Sequence, residues 1–402
     1  MKHLLATVFT VCSLACSLPL YAQQRLAGKV VDAASGQSVP YASIGVLGTA
    51  RGTTSNAEGE FELREVALPG RLVVSELGHR RDTVAVTAAL ASQALQIRLA
   101  PASVQLPEVQ VGSYLSELIA KAYRELRRTN SQRTYSQAFY RQVTQLDNEA
   151  TEVQEMVWDA ETSNAGLEGS ALAQARFAKK KALISFNNFS LYTKHYSLFN
   201  MRDDSSTFKG LIGPHVTDYL NLKLLGVTQD GNQQLVEIGF SSKGETATSR
   251  THGSMVINEA THQVLRLRLE SSGFHTKSNN PTFKFKNELT QIEWGFQPQP
   301  RGAATLAYLK VDYQTAMGRL MKADMAVHVA SFAYFYNGQA SPAAGVTYAP
   351  ARGSTNDLAT IKQTTYDPAF WQSNSVVKRT PLEEKVMRSF EQKGAFGTML
   401  TP

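Results

Sequence analysis

The chain has 402 residues, and 41 Lys and Arg against 34 Asp and Glu give it a formal net charge of +7. Its hydrophobic fraction of 43% and charged fraction of 19% are ordinary for a folded protein, which excludes a mainly disordered, collagen-like or coiled-coil chain. The only two Cys lie within the first 16 residues, so a disulfide scaffold is excluded as well. At about 150 residues per domain, the length predicts two or three domains.

The first 22 residues have the pattern of a signal peptide. Lys2 supplies the positive charge, the uncharged stretch 4–18 is too short to span a bilayer comfortably, and Ala22 is a small residue at the cleavage position. We therefore predict export with cleavage after Ala22. The alternative is a lipoprotein acylated at Cys16, although Ser13 stands where the usual lipobox has Leu. No later uncharged apolar stretch is long enough for a transmembrane helix, so any membrane contact is expected to be peripheral.

Residues 23–100 contain short apolar runs separated by turn residues. Strands at spacings of about 8 to 12 residues with Gly-rich turns are typical of a small β-sandwich. Gly36 and Gly59 fall at tight turns that are expected to need a positive φ. The predicted strands are at residues 28–31, 42–47, 61–63, 72–75, 84–86 and 95–99.

Four segments of this region together resemble the carboxypeptidase-regulatory-like domain. They are G-K-V-V-D at 28–32, S-G-Q-S-V-P-Y-A-S-I at 35–44, G-T-T-S-N-A-E-G-E-F at 52–61 and L-V-V-S-E-L-G-H at 72–79. The resemblance implies a transthyretin-like β-sandwich of the kind found at the N-terminus of many gram-negative envelope proteins, including TonB-dependent receptors. It implies a protein of the periplasm or associated with the outer membrane. It does not imply peptidase activity, because the domain is an accessory fold without the zinc ligands of a carboxypeptidase.

Residues 101–112 are predicted to be a linker that resembles the segment after this domain in the receptors. About 290 residues follow it, too few for the plug and the 22-stranded barrel of a complete transporter. Residues 113–370 are predicted to form a β-rich domain that begins with an amphipathic helix at 113–129.

Most of this larger domain has the pattern of antiparallel strands. Asp230 and Gly231 are typical of a hairpin turn, and residues 262–270 alternate apolar and charged side chains as a half-buried strand does. Residues 165–182 are less regular, and 171–181 are a candidate helix within them. The fold class is therefore mainly β: a small transthyretin-like β-sandwich followed by a larger antiparallel β-rich domain with flanking helices.

Residues 371–402 form a C-terminal tail with a predicted helix at 380–393. Thr380 and Glu383 have the spacing of a capping box, Pro381 suits the first helical position, and Gly394 suits the helix end. The side chains expected to face inward are Leu382, Val386, Met387 and Phe390. This tail, the helix at 113 and an Ala-Phe-Tyr-Arg segment resemble a group of uncharacterised envelope proteins that carry the same N-terminal sandwich.

The sequence contains no strong catalytic, cofactor or metal signature. None of its eight His has a metal-ligand spacing, and nucleophile-elbow, Walker A and Rossmann motifs are absent. We therefore predict no catalytic residue, no cofactor and no metal site, and expect a protein that is not an enzyme. The basic run 179–181 lacks interleaved aromatic residues, so no nucleic acid is expected as a partner.

One candidate ligand face comes from aromatic and Met side chains. Phe139, Met156, Trp158 and Tyr192 are predicted to line a curved sheet, as in acyl-chain carriers, and ordinary core packing is the alternative. The leading hypothesis is a non-catalytic binding or assembly protein at the periplasmic side of the outer membrane, with envelope proteins or lipid as partners. A lipid or lipoprotein carrier, a small outer-membrane barrel and an envelope hydrolase stay as alternatives. The oligomeric state is not predicted.

Overall fold

A computed structural model describes residues 24–49, 51–102, 104–105, 111–195, 198–199, 211–230, 233–244, 250–272, 283–319, 322–351, 356–373 and 376–396. The predicted signal peptide, Cys16 and Gly231 lie outside these residues. In the described part of the chain, no helix is both long enough and apolar enough to cross a membrane.

The described residues are mainly in strands, as predicted. The strands are β1 (Gln24–Asp32), β2 (Ser43–Val46), β3 (Gly52–Thr54), β4 (Glu60–Val66), β5 (Gly70–Ser75), β6 (Asp82–Val86), β7 (Leu95–Leu99), β8 (Val104–Gln105), β9 (Thr134–Leu146), β10 (Glu149–Ser163), β11 (Gly166–Lys179), β12 (Leu220–Asp230), β13 (Gln233–Ser242), β14 (Thr251–Asn258), β15 (Val264–Ser271), β16 (Lys284–Gln297), β17 (Thr305–Arg319), β18 (Lys322–Gln339) and β19 (Ala349–Pro350). The helices are α1 (Ala88–Ala91), α2 (Val111–Thr129), α3 (Leu191–His195), α4 (Asp357–Gln363), α5 (Pro368–Ser373) and α6 (Pro381–Glu391), with a 3-10 turn at Val216–Asp218.

The N-terminal region is a sandwich of two small sheets, which confirms that prediction. One sheet has the order β4-β1-β7 and the other β3-β2-β5-β6, and only the β1–β7 pair is parallel. Phe61 and Ile44 are fully buried in the apolar core between them. Gly36 and Gly59 have φ values of 71° and 74°. At Gly59 an added Cβ would lie 2.6 Å from the carbonyl oxygen of Val30, so a side chain does not fit there.

The larger region is built on one sheet of twelve strands. Its order is β19-β11-β10-β9-β18-β17-β16-β15-β14-β13-β12-β8, and the paired strands are antiparallel. The predicted Asp230 hairpin is formed by β12 and β13. The predicted helix at 171–181 is wrong, because residues Gly166–Lys179 form β11 and pair with β10 along their whole length. Two residues of the predicted linker form β8 and pair with β12 at one end of the sheet.

The two faces of this sheet are covered by different parts of the chain. We call the face against α2 the inner face, where Leu115, Ile119 and other apolar residues of α2 join the main core. The opposite, outer face is covered by the N-terminal sandwich and by residues 366–373 and 376–396, which we call the strap. Both faces of the central strands are therefore buried.

The strap ends in the predicted C-terminal helix. Thr380 and Glu383 form the capping box at the start of α6, with Pro381 in the first turn, which confirms that prediction. Val386, Met387 and Phe390 are buried against Val153 and Ala178 on the outer face. Leu382 was expected to face inward, but it is 55% exposed. Leu382 is the second residue of α6, and the buried residues of this helix begin one turn later, at Val386.

Candidate ligand-binding cavity

The N-terminal sandwich is fixed on the outer face by an aromatic contact. The Tyr41 ring, in the V-P-Y-A-S-I segment, stacks on Tyr308 and Phe332 with ring centroids 5.6 and 5.1 Å apart. Lys310 lies over the same ring at 5.5 Å. Burial raises the pKa of Tyr41, and the charge of Glu293 adds to this shift. A neutral phenol in a stack of three aromatic rings holds the two regions together through apolar area and ring packing.

The strap makes a second connection by running beside the edge strand β3. Thr53 Oγ1 donates a hydrogen bond to the Val376 carbonyl at 2.8 Å, and Thr54 forms a parallel bridge with Val377. Asn56 Nδ2 donates to the Arg379 carbonyl at 3.2 Å. An extended segment that pairs with an exposed strand edge satisfies backbone groups which the edge would otherwise leave to solvent.

A cavity of about 790 Å³ lies where the sandwich, the large sheet and the strap meet. This volume is within the range of small-molecule binding sites in proteins. Its lining combines aromatic residues with seven basic and five acidic side chains. The charged residues are Arg25, Arg64, Arg141, Arg176, Lys378, Arg379 and Arg388, together with Glu60, Glu62, Glu155, Glu384 and Glu391.

The large sheet contributes a buried triad of two arginines and one carboxylate. Glu155 on β10 faces Arg141 on β9 and Arg176 on β11, because the register places these three residues side by side. Arg141 Nε donates to Glu155 Oε1 at 2.7 Å, and Arg176 Nε donates to Oε2 at 2.5 Å. The three side chains are 6% exposed or less. Burial would raise the pKa of Glu155, but the charges of Arg141, Arg176 and Arg379 outweigh it and lower the pKa to about 2.

Aromatic rings and strap carboxylates complete the surroundings of this triad. The Arg176 guanidinium lies 4.6 Å from the ring centres of both Trp371 and Phe396. Glu383 accepts a hydrogen bond from Arg141 at 3.2 Å, and Glu391 lies 3.7 Å from Arg176. The strap therefore supplies the negative charge and the ring faces that two buried guanidinium groups need.

The sandwich contributes a second arrangement of two arginines around one carboxylate. Glu62 on β4 is 5% exposed. Its Oε2 accepts from Arg25 Nη2 at 2.5 Å and its Oε1 accepts from Arg64 Nε at 2.8 Å. On the same strand, Glu60 pairs with Lys378 of the strap at 3.0 Å. Strand alternation puts these charges on one side of β4, toward the cavity.

The four residues of the predicted apolar ligand face lie in two places. Met156 and Trp158 are buried at 1% and 2% exposure in the main core on the inner face, and Tyr192 packs against that core. Phe139 is on the opposite, outer face, near Trp371 and lining the cavity. The strand period explains this separation: β9 pairs Phe139 with Val157, so Met156 and Trp158 must face the other way. Acyl-chain binding at these residues stays a prediction.

Apart from Phe139, none of the cavity residues was predicted from the sequence to belong to a site. The alternation of β9 places Arg141 on the same face as Phe139, and that was the available signal. Their convergence depends on contacts between segments that are hundreds of residues apart, such as Arg141 with Glu383. Within the described ranges, no group of three or more His, Cys, Asp or Glu is arranged to hold a metal ion.

Comparison with known proteins identifies the N-terminal region only. The model of one family, described as CarboxypepD_reg-like domain, matches residues 26–111. This confirms the resemblance seen in the sequence for the sandwich. No curated protein matches the chain.

Proposed function

We propose that this protein is a non-catalytic binding protein of the cell envelope, and that its ligand or partner contacts the cavity between the sandwich, the large sheet and the strap. The observation that carries the proposal is the construction of the cavity. Three separate parts of the chain contribute walls, and each wall brings charged side chains held in defined ion pairs. A preformed concave space with a few oriented polar groups is the usual form of a ligand site.

The charge states in the centre of the cavity favour binding over proton transfer. The Glu155 carboxyl has a pKa of about 2, and its neighbours Arg141 and Arg176 are cations at any physiological pH. A general acid or base works best when its pKa is near the working pH. The triad therefore provides fixed charges, which suit recognition of a polar ligand.

The envelope location is the second part of the proposal. It is supported by the signal-peptide pattern of residues 1–22 and by the sandwich, whose carboxypeptidase-regulatory-like relatives are common in gram-negative envelopes. Export is tested by fractionation of cells that express the full chain. The expected result is a shortened protein in the envelope fraction, with its N-terminus at Gln23. An uncleaved protein in the cytoplasm would contradict this part.

Binding at the cavity is tested by photocrosslinking in cells. Gln372 lines the cavity and is exposed, so a photoreactive p-benzoylphenylalanine at this position should form an adduct with whatever occupies it. Lys322, an exposed residue at the start of β18 that is not part of the lining, is the matched control. We expect an adduct of defined mass at 372 and none at 322. Equal labelling at both positions, or none at either, would overturn the proposal.

A further inference from the structure

A second cleft lies between the sandwich and the large sheet, apart from the cavity described above. Its volume is about 660 Å³, and it shares no described lining residue with the cavity. One wall is the outward side of β2, β3 and β5 in the sandwich. The other wall is formed at the start of β9 and at the ends of β16 and β18. We call this space the polar cleft.

The sandwich wall of the polar cleft is built from small residues. Ile44 of β2 is fully buried in the sandwich core, so strand alternation turns Ser43 and Gly45 toward the cleft. The register places Ser75 beside Ser43 and Gly52 beside Gly45. A Cβ added to Gly45 would have open space, because the nearest atom beyond its chain neighbours would be a carbonyl oxygen 4.0 Å away. The cleft therefore has room for a flat ligand against β2.

Two tyrosine rings lie in the opposite wall. Tyr334 and Tyr336 are two residues apart on β18 and share one side of the sheet. Their rings are nearly parallel, with an angle of 7° between the planes and the centroids 6.0 Å apart. Burial raises the pKa of both phenols, so they stay neutral at physiological pH. Such a pair can pack against the C–H side of a sugar ring and offer O–H groups at its edge.

Neutral hydrogen-bonding groups make up most of the remaining polar lining. Ser and Thr supply seven hydroxyls, and the four amide side chains are Gln297, Gln299, Asn337 and Gln339. Gln297 Nε2 donates to Ser43 Oγ at 3.3 Å, which joins the two walls. An amide side chain has two N–H donors and an acceptor oxygen. These groups match a ligand with several hydroxyls, because each hydroxyl both donates and accepts.

The charges around the polar cleft favour a neutral ligand. Among the lining residues that the structure describes, the charged ones are Arg51, Arg81 and Arg133. Arg51 is 3.1 Å from Glu65 and Arg133 is 3.3 Å from Glu161, so two of the three cations have carboxylate partners. Arg81 is exposed to solvent, where salt screens its charge. An ionic ligand would thus gain little from this lining.

We propose that the polar cleft binds a neutral saccharide. The small residues of β2 and the tyrosine pair leave a flat space, and hydroxyl and amide groups surround it. A cleft between two folded regions with convergent polar groups is a common position for a ligand. This inference names a second site, so it does not depend on what binds in the cavity beside the strap.

The ligand class is tested by calorimetric titration of the mature chain, residues 23–402. The probes are two neutral trisaccharides, maltotriose and triacetylchitotriose, an acidic one, trigalacturonate, and a tripeptide, trialanine. We expect a millimolar Kd for at least one neutral trisaccharide, because a few neutral hydrogen bonds must offset the ordering of the ligand. The acidic and peptide probes should bind more weakly. Equal or tighter binding of either, or no binding of both neutral trisaccharides, would overturn the inference.

The place of binding is tested by filling the cleft. Gly45→Phe puts a ring into the open space beside β2 and should weaken saccharide binding at least tenfold. Ala85→Phe adds the same ring at an exposed residue of β6 outside the lining, and should leave the affinity unchanged. Unchanged affinity in Gly45→Phe would overturn the inference. Loss of binding in Gln372→Phe instead would place the saccharide in the cavity, which also overturns it but leaves the proposed function standing.

A second variant keeps the test valid if Gly45→Phe does not fold. Gln339 is exposed at the end of β18, so Gln339→Ala removes an amide of the lining without disturbing a core. The affinity should fall severalfold. Gln93→Ala, at an exposed amide of the sandwich outside the lining, is the matched control and should bind as the wild type does. Equal affinity in the two variants would contradict a site in the polar cleft.

Discussion

The two faces of strands β9, β10 and β11 are both buried, but they differ in their main chemistry. On the inner face, the Tyr140 and Trp158 rings stack with centroids 5.1 Å apart in a mainly apolar core, where the Lys194 ammonium lies 4.8 Å from the Trp158 ring centre. On the outer face of the same strands, Arg141 and Glu155 form a buried ion pair. The inner contacts gain stability from apolar area removed from water, and the outer ones depend on each charge keeping its partner. The loss of one charged partner on the outer face is therefore expected to lower stability strongly, even though few side chains are involved.

The largest expected effect comes from removing apolar volume on the inner face. Trp158→Ala should lower the free energy of unfolding by about 4 kcal/mol, because it leaves a cavity in a closely packed core. Urea denaturation measures this. Leu183→Ala, at a side chain that is 57% exposed, is the control and should change stability by less than about 0.5 kcal/mol. A folded Trp158→Ala protein of unchanged stability would mean that this face is not a packed core.

The outer face should be nearly as sensitive to the loss of one carboxylate. Glu155→Gln leaves Arg141 and Arg176 buried with less negative charge, which we expect to cost about 3 kcal/mol. The comparison becomes sharper with the triple variant Arg141→Met/Glu155→Leu/Arg176→Met, which should recover most of that loss because no buried charge is left unpaired. If the triple variant is less stable than Glu155→Gln, the ion pairs themselves stabilise the fold.

The sequence predicts the alternation of side chains within a strand. It does not predict which part of the protein covers each face of that strand. Leu265, Leu267 and Leu269 alternate with charged residues in β15, and the alternation is present in the structure. Arg266 is on the charged face of this predicted half-buried strand, yet it is only 7% exposed. Its Nη1 donates to Glu76 of the sandwich at 3.2 Å. The sequence around a charged strand residue shows the same alternation whether its side chain faces water or a second layer of protein.

The other differences between the sequence-based predictions and the structure have the same cause, which is contact between distant segments of the chain. Phe139 and Met156 differ in face because strand register, which no single segment encodes, decides which side chains align. Residues 171–181 include four alanines, which have a high helix propensity, and this segment was predicted to be helical. Pairing with β10 and the β19 contact override that propensity in β11. By contrast, the capping box at Thr380 is a local arrangement of four residues, and it was predictable for that reason.

A smaller effect is expected from weakening the strap without touching any charge. Thr380→Ala removes the hydroxyl that accepts from the Glu383 N–H, and should cost α6 about 1 kcal/mol. Amide hydrogen exchange should become faster in α6 and stay unchanged in α2 on the inner face. Thr360→Ala, at an exposed hydroxyl inside α4, is the control. Uniform acceleration throughout the chain would show that the strap does not unfold separately.

The smallest expected effect is a pH dependence at the edge of the sandwich. His79 Nδ1 lies 2.7 Å from Glu76 and Nε2 lies 3.0 Å from Asp32, while Arg266 contacts Glu76 from β15. The hydrogen bond to Glu76 raises the pKa of His79 above its ordinary value of 6.5, although burial opposes this. The folded state thus holds the proton more tightly than the unfolded state, so this stabilisation is full below pH 6.5 and is lost as the pH rises through the raised pKa.

The size of that stabilisation should be about 0.5 to 1 kcal/mol, as for other ion pairs near a protein surface. Unfolding free energies measured from about pH 5.5 to 8.5 test it, and His79→Gln should remove this part of the slope. Asp32, whose pKa is lowered to about 2 chiefly by a hydrogen bond from the Ser35 backbone, stays ionised throughout this range. An identical slope in the variant would assign the effect to another group.

The contact between Thr53 and Val376 joins residues that are 323 positions apart. A ribosome makes the sandwich first and the strap last, so the sandwich waits through the synthesis of almost the whole chain before its edge strand is paired. Until then the guanidinium groups of Arg141 and Arg176 lack Glu383 and Glu391, and one side of the cavity is open. Residues 376–396 therefore supply the last wall of the cavity, and a chain interrupted before them would contain all three sheets without that wall.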